Sequence, residues 1–257
     1  RAPLTTGGGP GGLQPLGLQR ATRATLEAGG GPGGLQPLGL QRALGYGEVL
    51  SVGPAAVAEL FSPPRVTASM PRGGALVAGS TFDLHADASG ATWDFTKPLD
   101  RKRAWDQIRA EEPFLVVGSP PCTMFSSLQN SNKRRGTTEW RSRRRTAEVL
   151  LTFAAAVYKL QVLAGRHFLH EHPAGATSWS HPAIAKLLAT PGVDAVVAHQ
   201  CAFGLETSIA GGGRALVMKP TRFMSSAPAL LEALSRKCHG GHAHAPLLGS
   251  RVVAALG

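Results

Sequence analysis

A cysteine follows a short apolar run, at the point where a predicted buried strand ends. The run Phe114 to Val117 continues as Gly-Ser-Pro-Pro and then presents Cys122, so two prolines stiffen the turn that carries the thiol. Loops at the carboxyl ends of parallel strands are where α/β proteins place ligands and catalytic groups. Because nearby cations and free backbone amides lower a thiol pKa, the pattern predicts a nucleophile. The alternative is a small buried apolar residue, the common role of a lone cysteine.

A carboxylate ends a second apolar run, with 48 residues between it and this cysteine. The stretch Phe168-Leu-His170-Glu171-His172-Pro173 places Glu171 between two imidazoles. Successive strand residues point to opposite faces, which disfavours one metal centre made of all three side chains. A carboxyl group here could share or donate a proton to a substrate, so Glu171 is a candidate catalytic residue. A solvated residue at a strand end is the alternative.

Together the two motifs resemble those of cytosine-C5 DNA methyltransferases. Gly-Ser-Pro-Pro-Cys122-Thr-Met-Phe-Ser is similar to the family motif G-x-P-C-Q-x-F-S, and Glu171 with Pro173 is similar to E-N-V or E-N-P, with His172 replacing Asn. The first string also resembles the S-P-P-[YFW] motif of N4-cytosine methyltransferases, which has an aromatic residue where this chain has Cys122. The resemblance to the C5 family implies that Cys122 attacks C6 of cytosine, that Glu171 supports N3, and that S-adenosylmethionine is the cofactor.

The cofactor motif of that family is only partly present. The family's first strand ends in D-L-F-x-G-x-G, whereas Glu59-Leu-Phe61-Ser-Pro-Pro keeps the acidic, aliphatic and aromatic residues and has no glycine. The prolines remove two amide donors and stiffen the turn. At the end of the next strand Asp83 is expected to accept ribose hydroxyls, and Asp94 is expected to contact adenine. The alternative for both acids is a solvated loop residue or a helix cap. The resemblance implies these cofactor-binding residues: Glu59, Phe61, Asp83, Asp94 and Pro120.

A dense basic run follows the cysteine motif. Seven cations face the single acid Glu139 within thirteen residues: Lys133, Arg134, Arg135, Arg141, Arg143, Arg144 and Arg145. Such a run is usually a solvated surface. Its position next to the predicted catalytic loop, and the formal net charge of +11, favour phosphate contacts instead. We therefore expect DNA as the partner, with RNA as the alternative, and Trp140 either stacks on a base or packs.

A cluster of metal-ligand residue types lies near the end of the chain. Cys238-His239-Gly-Gly-His242-Ala-His244 has the chemistry of a zinc site at close spacing. No Cys-x-x-Cys partner occurs elsewhere, and structural zinc normally has four well-separated ligands. We therefore expect no metal and favour a substrate loop. The donor-rich segment from Lys219 to Arg222 precedes this loop and is a candidate for contact with a backbone phosphate.

The elements that must position these residues form an α/β pattern. From Ala55 short apolar runs alternate with helical periodicity, as in a parallel sheet with crossover helices. A clear helix runs from Ala147 to Gln161 and ends at Gly165, and Ser180 and Ser226 are expected to cap two shorter helices. The predicted strands are Ala56 to Phe61, Thr81 to Leu84, Phe114 to Val117, His167 to Glu171, Val193 to Ala198 and Ala215 to Met218. The resemblance implies the Rossmann-like sheet of class I S-adenosylmethionine-dependent methyltransferases, with helices on both faces.

Two domains of very different composition are predicted. Residues 1–53 contain GGGPGGLQPLGLQRA twice and form a Gly/Pro-rich disordered tail, whereas residues 54–257 form the methyltransferase-like domain. No Met starts the chain, which favours a fragment of a longer product, and similar segments are embedded in copia-type retrotransposon polyproteins. No apolar run approaches the ~20 residues that cross a bilayer, so no membrane partner is expected. Three scattered cysteines favour a reducing compartment, and we expect an intracellular, nuclear protein.

Two rival functions remain open at this point. A degenerate, non-catalytic nucleic-acid-binding domain would explain the missing glycines after Phe61. A thiol-dependent hydrolase would use Cys122 with His170 or His172, and would need an imidazole within hydrogen-bond reach of the sulfur. The family's glutamine-arginine motif is represented only by Gln200 without the arginines, and the chain after Gly204 is too short for the family's target-recognition domain.

Overall fold

The computed structural model describes residues 55–71, 73–86, 90–209 and 212–246, so the predicted disordered tail lies outside the described residues. Within that part the fold is α/β, with a six-stranded sheet in the order β2-β1-β3-β4-β8-β5 and a separate hairpin of β6 and β7. The strands are β1 Ala55–Leu60, β2 Leu76–Phe82, β3 Leu115–Gly118, β4 His167–Pro173, β5 Asp194–His199, β6 Glu206–Ser208, β7 Arg214–Leu216 and β8 Pro220–Ser225. The helices are α1 Pro98–Glu111, α2 Thr138–Leu163, α3 Pro182–Leu188 and α4 Pro228–Leu234.

The first four strands form a parallel sheet with a reversal of strand order. β1 pairs with β2 on one side and with β3 on the other, and β3 pairs with β4. The chain therefore leaves β1 in one direction to form β2, and then crosses back over β1 to form β3. In open α/β sheets such a switch point leaves a crevice outside the carboxyl ends of the strands, where ligands bind. The loops after β1 and β3 flank this crevice.

The other edge of the sheet differs from the all-parallel arrangement expected from the sequence. β8 lies antiparallel between β4 and β5. The predicted strand from Ala215 overlaps β7, which belongs to the separate hairpin. Parallel neighbours need a long crossover, usually a helix. Since the chain between β5 and β8 forms only a short turn and this hairpin, β8 returns in the opposite direction.

Helices cover both faces of the sheet, as predicted. Ala104 and Ile108 of α1 and Leu151 and Ala154 of α2 belong to a buried cluster on one face, which also includes side chains of α3. On the opposite face α4 contributes Leu230, Leu231 and Leu234 to a second cluster. The predicted helix between β3 and β4 is confirmed as α2. Gly165, shortly after its end, has a left-handed φ of 67°, as is common where helices end.

Helix α2 is long and apolar enough, by length and composition, to cross a membrane. The same helix buries Leu151, Ala154, Val157 and Tyr158 in the core. A core helix passes the same test, so length and composition alone do not distinguish a membrane span from a core helix.

Candidate functional site

The ends of β3 and β4 bring Cys122 and Glu171 to the same edge of the sheet. The two strands are parallel neighbours, with Gly118 opposite His170. The next residue of each strand therefore lies at the same level, and the Ser119 hydroxyl donates a hydrogen bond of 3.3 Å to Oε2 of Glu171. Cys122 follows in the turn after β3, and the charge of Glu171 acts on its thiol. The arrangement has the convergence that the two sequence motifs require.

Glu171 is a buried carboxylate with one oxygen left over. The residue is 2% exposed, and its Oε1 has no hydrogen-bond partner among the described residues. The ammonium of Lys219 lies 3.6 Å from Oε1, at ion-pair distance but beyond a hydrogen bond. Buried polar atoms in folded proteins nearly always have a hydrogen-bond partner, because desolvating them without one is costly. Oε1 is thus an acceptor available to a ligand.

Lys219 was not assigned to this site by the sequence analysis, which placed its segment against a nucleic-acid phosphate. It precedes β8, and it reaches Glu171 because β8 inserts next to β4. The residue before β8 can meet the end of β4 only in an antiparallel pair, since such a pair brings the start of one strand to the end of its neighbour. No local sequence signal indicates this contact.

Gln200 contacts the backbone of Lys219. Its backbone N–H donates to the carbonyl of Lys219, at 3.2 Å. The residue is fully buried, and neither polar atom of its side-chain amide has a hydrogen-bond partner among the described residues. From the sequence, Gln200 resembles only the glutamine of a glutamine-arginine motif. The structure adds that it is a buried polar group with unused hydrogen-bonding capacity.

The thiol of Cys122 is not in the environment that the sequence predicted. Burial raises its pKa, the Glu171 carboxylate raises the pKa further, and only Lys219 and a backbone hydrogen bond lower it. The arginines of the basic run are not among the groups that act on the thiol. The expectation of a lowered pKa was therefore wrong, because desolvation and one carboxylate outweigh the cations. The resting thiol is protonated at neutral pH.

His172 holds the cysteine turn against β4. Burial lowers its pKa to about 4, so the ring is neutral at pH 7. Nε2 donates to the carbonyl of Pro120 at 2.8 Å, since a carbonyl only accepts, and Nδ1 therefore accepts from the Ser178 hydroxyl at 2.6 Å. Both ring nitrogens are occupied. His172 is a brace for the turn rather than a base for Cys122.

His170 is likewise buried and neutral, because burial lowers its pKa well below the ordinary value. Its Nδ1 lies 3.3 Å from the Tyr158 hydroxyl, and its Nε2 has no hydrogen-bond partner among the described residues. A Cβ at Gly118 would clash with that tyrosine hydroxyl, so glycine is needed where β3 ends. Neither His170 nor His172 makes a hydrogen bond with the Cys122 sulfur. The thiol hydrolase lacks the imidazole contact that it requires.

Glu59 closes the loop after β1. It is fully buried, and its two carboxylate oxygens accept four hydrogen bonds, from the Ser62 hydroxyl, the Arg65 and Thr67 amides and the Thr67 hydroxyl. These contacts tie the loop after β1 around one acid. Such saturation leaves Glu59 no capacity for the cofactor contact expected from the sequence, so its role is structural.

Two of the other expected cofactor residues are also used internally. Oδ1 of Asp94 accepts from the amide and hydroxyl of Thr96, a contact that lowers the pKa of Asp94. Asp94 therefore bonds within its own loop, in line with the alternative of a loop acid. The Pro120 carbonyl is taken by His172.

Phe61 and Asp83 are placed where a ligand in the crevice could meet them. Phe61 has φ of 61°, a left-handed conformation that strains a bulky residue by roughly 1–3 kcal/mol. Its ring is partly exposed and packs edge-on against Phe95. Asp83 follows β2 and binds the His85 amide and ring through Oδ1 alone. An aromatic face and a carboxylate oxygen beside a switch point are groups that could hold a ligand in the crevice.

The basic run divides into exposed cations and one clamp. Arg144 donates to Glu148, to the Met124 carbonyl and to the Thr177 hydroxyl, and its guanidinium lies 4.2 Å from the centre of the Phe125 ring. It therefore ties α2 to the turn after Cys122 rather than facing solvent. The exposed members are Lys133, Arg134, Arg135, Arg141, Arg143 and Arg145.

Trp140, inside the same run, packs against the loop before α2. Its indole N–H donates to Oε1 of Gln129 at 3.0 Å, and Gln129 in turn bonds the Thr123 carbonyl at 3.1 Å. The residue therefore supports the segment that follows the cysteine turn, which was one of its two predicted roles.

A scan against models of known protein families gives no match for this chain, and a search of curated protein sequences gives none either.

Proposed function

We propose that the chain is a cytosine-C5 DNA methyltransferase of the class I Rossmann-like type, with Cys122 as nucleophile. The observation that carries the proposal is the buried Oε1 of Glu171, which lacks a hydrogen bond and lies at the strand end beside the cysteine turn. A carboxyl group next to a thiol at the carboxyl edge of a parallel sheet is the pair that addition to a pyrimidine needs. The motif resemblance supports the same pair.

The chemistry assigns a separate task to each side chain. Cys122 loses its proton to water and its sulfur forms a bond to C6 of cytosine, while the C5–C6 π electrons move to C5, the carbon that is methylated. Loss of the C5 proton to solvent then breaks the C6–S bond and restores the base. Glu171 takes up a proton from solvent as the base binds and donates it through Oε1 to N3, which stabilises the charge that the ring gains. Lys219, 3.6 Å from that oxygen, keeps the carboxylate paired when no base is present.

The cofactor is expected in the crevice between the β1 and β3 loops. Phe61 and Asp83 would hold it, through an aromatic face and through a carboxylate oxygen that can accept a ribose hydroxyl. S-adenosylmethionine supplies the methyl group when bound. The loop of Ser62, Pro63 and Pro64 offers few amides, so these side chains would supply most of the contacts.

Nucleic acid would approach over the exposed cations that follow the cysteine turn. Ser126 caps a short 3-10 turn, which leads through Lys133–Arg135 into α2, so these charges are continuous with the turn of Cys122. A target base must leave the helix stack to reach a buried carboxyl group, and phosphate contacts beside the site would hold the strand while it does so.

The decisive experiment traps the covalent intermediate. DNA containing 5-fluorocytosine blocks the final elimination, so the full chain with S-adenosylmethionine should form an adduct that mass spectrometry assigns to Cys122. Cys122→Ser should form no adduct and should still bind DNA, and Cys201 in the unsubstituted chain is the internal control that stays free of the adduct. If the folded, cofactor-bound protein gives no adduct on a broad pool of sequences, the enzyme proposal fails.

A second candidate is a non-catalytic nucleic-acid-binding domain of a retroelement polyprotein. The observation that favours it is the loop closed around Glu59, which lacks the glycines of the family's cofactor turn. Calorimetry with S-adenosylmethionine separates the two candidates. Binding that Asp83→Asn weakens at least tenfold supports the enzyme, and DNA binding without any cofactor binding supports the second candidate.

A further inference from the structure

Four side chains with metal-binding atoms meet at the edge of the sheet beyond β5, away from the motifs of the cysteine and glutamate. Cys201 belongs to the short turn Gln200–Phe203 that follows β5, and the others lie in the C-terminal segment after α4. The ligand atoms of Cys201, Cys238, His242 and His244 all lie within 4.8 Å of one another. Spacing within the C-terminal segment does not reveal the ligand that Cys201 supplies.

From this geometry we propose a structural zinc site formed by Cys201, Cys238, His242 and His244. Zinc bonds of about 2.3 Å to sulfur and 2.0–2.1 Å to nitrogen place neighbouring tetrahedral ligands about 3.6 Å apart. Sγ of Cys238 lies 3.5 Å from Nε2 of His242 and 3.5 Å from Nε2 of His244. Both distances are those of a tetrahedral edge, so only a small movement of the remaining pairs is needed.

The backbone around the cluster is arranged as a ligand turn. Gly240 and Gly241 adopt left-handed φ angles of 82° and 80°, which fold the segment so that His242 returns towards Cys238. The Gly240 amide points at Sγ of Cys238, 3.4 Å away, and so donates to the sulfur. Hydrogen bonds of this kind orient the ligands of metal sites.

The C-terminal segment is also hydrogen-bonded on both sides of the cluster, to β5 of the six-stranded sheet and to β7 of the separate hairpin. The Cys238 amide donates to Nδ1 of His199, the last residue of β5, and the Ala245 amide donates to the carbonyl of Leu216 in β7. Cys201 is buried, whereas His242 and His244 are exposed. A metal here would therefore connect a core turn to a surface segment that has little other regular structure among the described residues.

The ligand set selects the class of metal. Two thiolates and two imidazoles in a tetrahedral array favour Zn²⁺ over Mg²⁺ or Ca²⁺, which prefer oxygen ligands. Four protein ligands leave no open position, so the site is structural rather than catalytic. On binding, the two thiols lose their protons and the two negative charges balance the charge of the metal.

The test measures metal content and ligand protection on the full chain. Elemental analysis of protein purified under reducing conditions should give one zinc per chain, and Co²⁺ in its place should give the visible bands of a tetrahedral thiolate site. Zinc should also slow alkylation of Cys201 and Cys238 and leave Cys122 as reactive as in the metal-free protein.

Variants of the exposed ligands avoid the risk of disturbing the core. His242→Gln and His244→Gln should each lower zinc affinity by more than about 100-fold, beyond the 10- to 100-fold effect typical of a supporting contact. His239→Gln, in the same segment but outside the cluster, and Cys122→Ser should both retain one zinc. The proposal is overturned if the reduced protein binds no zinc, if Cys201 and Cys238 form a disulfide that excludes the metal, or if the two ligand variants bind as tightly as His239→Gln.

Discussion

At the scale of single residues, the site depends on charges around one thiol. Burial and Glu171 keep Cys122 protonated, while Lys219 opposes them. A nucleophile held in this state is inert until a substrate changes its surroundings. A base that engages Oε1 of Glu171 would neutralise the carboxylate and so remove one of the two causes that raise the thiol pKa.

Neutralising Glu171 should therefore make Cys122 more reactive. In Glu171→Gln the negative charge is lost, the thiol pKa falls, and alkylation by iodoacetamide at pH 8 should become about two- to tenfold faster. Lys219→Met should slow it, because the cation that lowers the pKa is gone. Peptide-resolved mass spectrometry measures both rates, with Cys201 as internal reference, since Glu171 is not among the groups that act on that thiol. Equal rates in the three proteins would contradict the placement of these charges.

At the scale of elements, β4 is held to the cysteine turn by a neutral histidine. His172 links the strand to Pro120 and Ser178. An imidazole can make these two contacts at once only while it is neutral, because a protonated ring has no acceptor. The turn that carries the nucleophile is thus coupled to the protonation of a buried group.

This coupling predicts sensitivity to acid. The folded pKa of His172 is about 4, below the unfolded value near 6.5, so its contribution to stability is complete above pH 6.5 and is lost as the pH falls towards 4. The loss amounts to about 1.4 kcal/mol per pH unit in that window, or roughly 3 kcal/mol in all. Urea unfolding at several pH values should show at least this slope, because buried His170 contributes in the same direction, and His172→Asn should reduce the slope by about 1.4 kcal/mol per pH unit. His239→Asn, at an exposed position, should leave the slope unchanged.

The strands nearest the chemistry and the edge strand β5 could be predicted from the sequence, whereas β8 and α1 could not. Apolar runs announce β3 and β4, and Cys122 and Glu171 follow them directly. β8 was missed because Pro220 and Arg222 interrupt its apolar residues, and α1 because most of its surface is charged and only Ala104 and Ile108 are fully buried.

Contacts between distant segments were the second kind of failure. Lys219 reaches Glu171, and Cys201 reaches Cys238, only through the antiparallel return of the chain at β8 and the docking of the C-terminal segment on β5. Spacing along the sequence carries no information about such pairs. The roles of Glu59 and Arg144 were misjudged for a related reason, since a charged residue does not reveal from its type whether its partners are internal.

At the scale of the whole molecule, the chain has a net charge of +11, and the cations among its described residues are placed unevenly around the site. Exposed cations are concentrated in the loop before α2 and on its first turns, next to the cysteine turn. Cations at a helix N-terminus are disfavoured by the helix dipole, so their concentration there is not explained by helix stability. A polyanion bound over this surface would offset that cost.

The salt dependence of DNA binding should separate the exposed cations from the clamp. Replacing Arg143 and Arg145 with Gln removes up to two phosphate contacts, so the slope of log affinity against log salt should flatten by up to about 1.8, at about 0.9 per contact on duplex DNA. Their side chains are exposed, so the melting temperature should hardly change.

Arg144→Gln should instead lower the melting temperature and leave the salt slope close to that of the unsubstituted chain. The variant loses the bonds of Arg144 to Met124, Thr177 and Glu148, which should lower the melting temperature by a few degrees. Fluorescence anisotropy over a salt series and thermal unfolding of the same preparations measure both quantities. An unchanged slope in the Arg143 and Arg145 variant would make this surface merely solvated, and a flattened slope in Arg144→Gln with unchanged melting would reverse the assignment of the clamp.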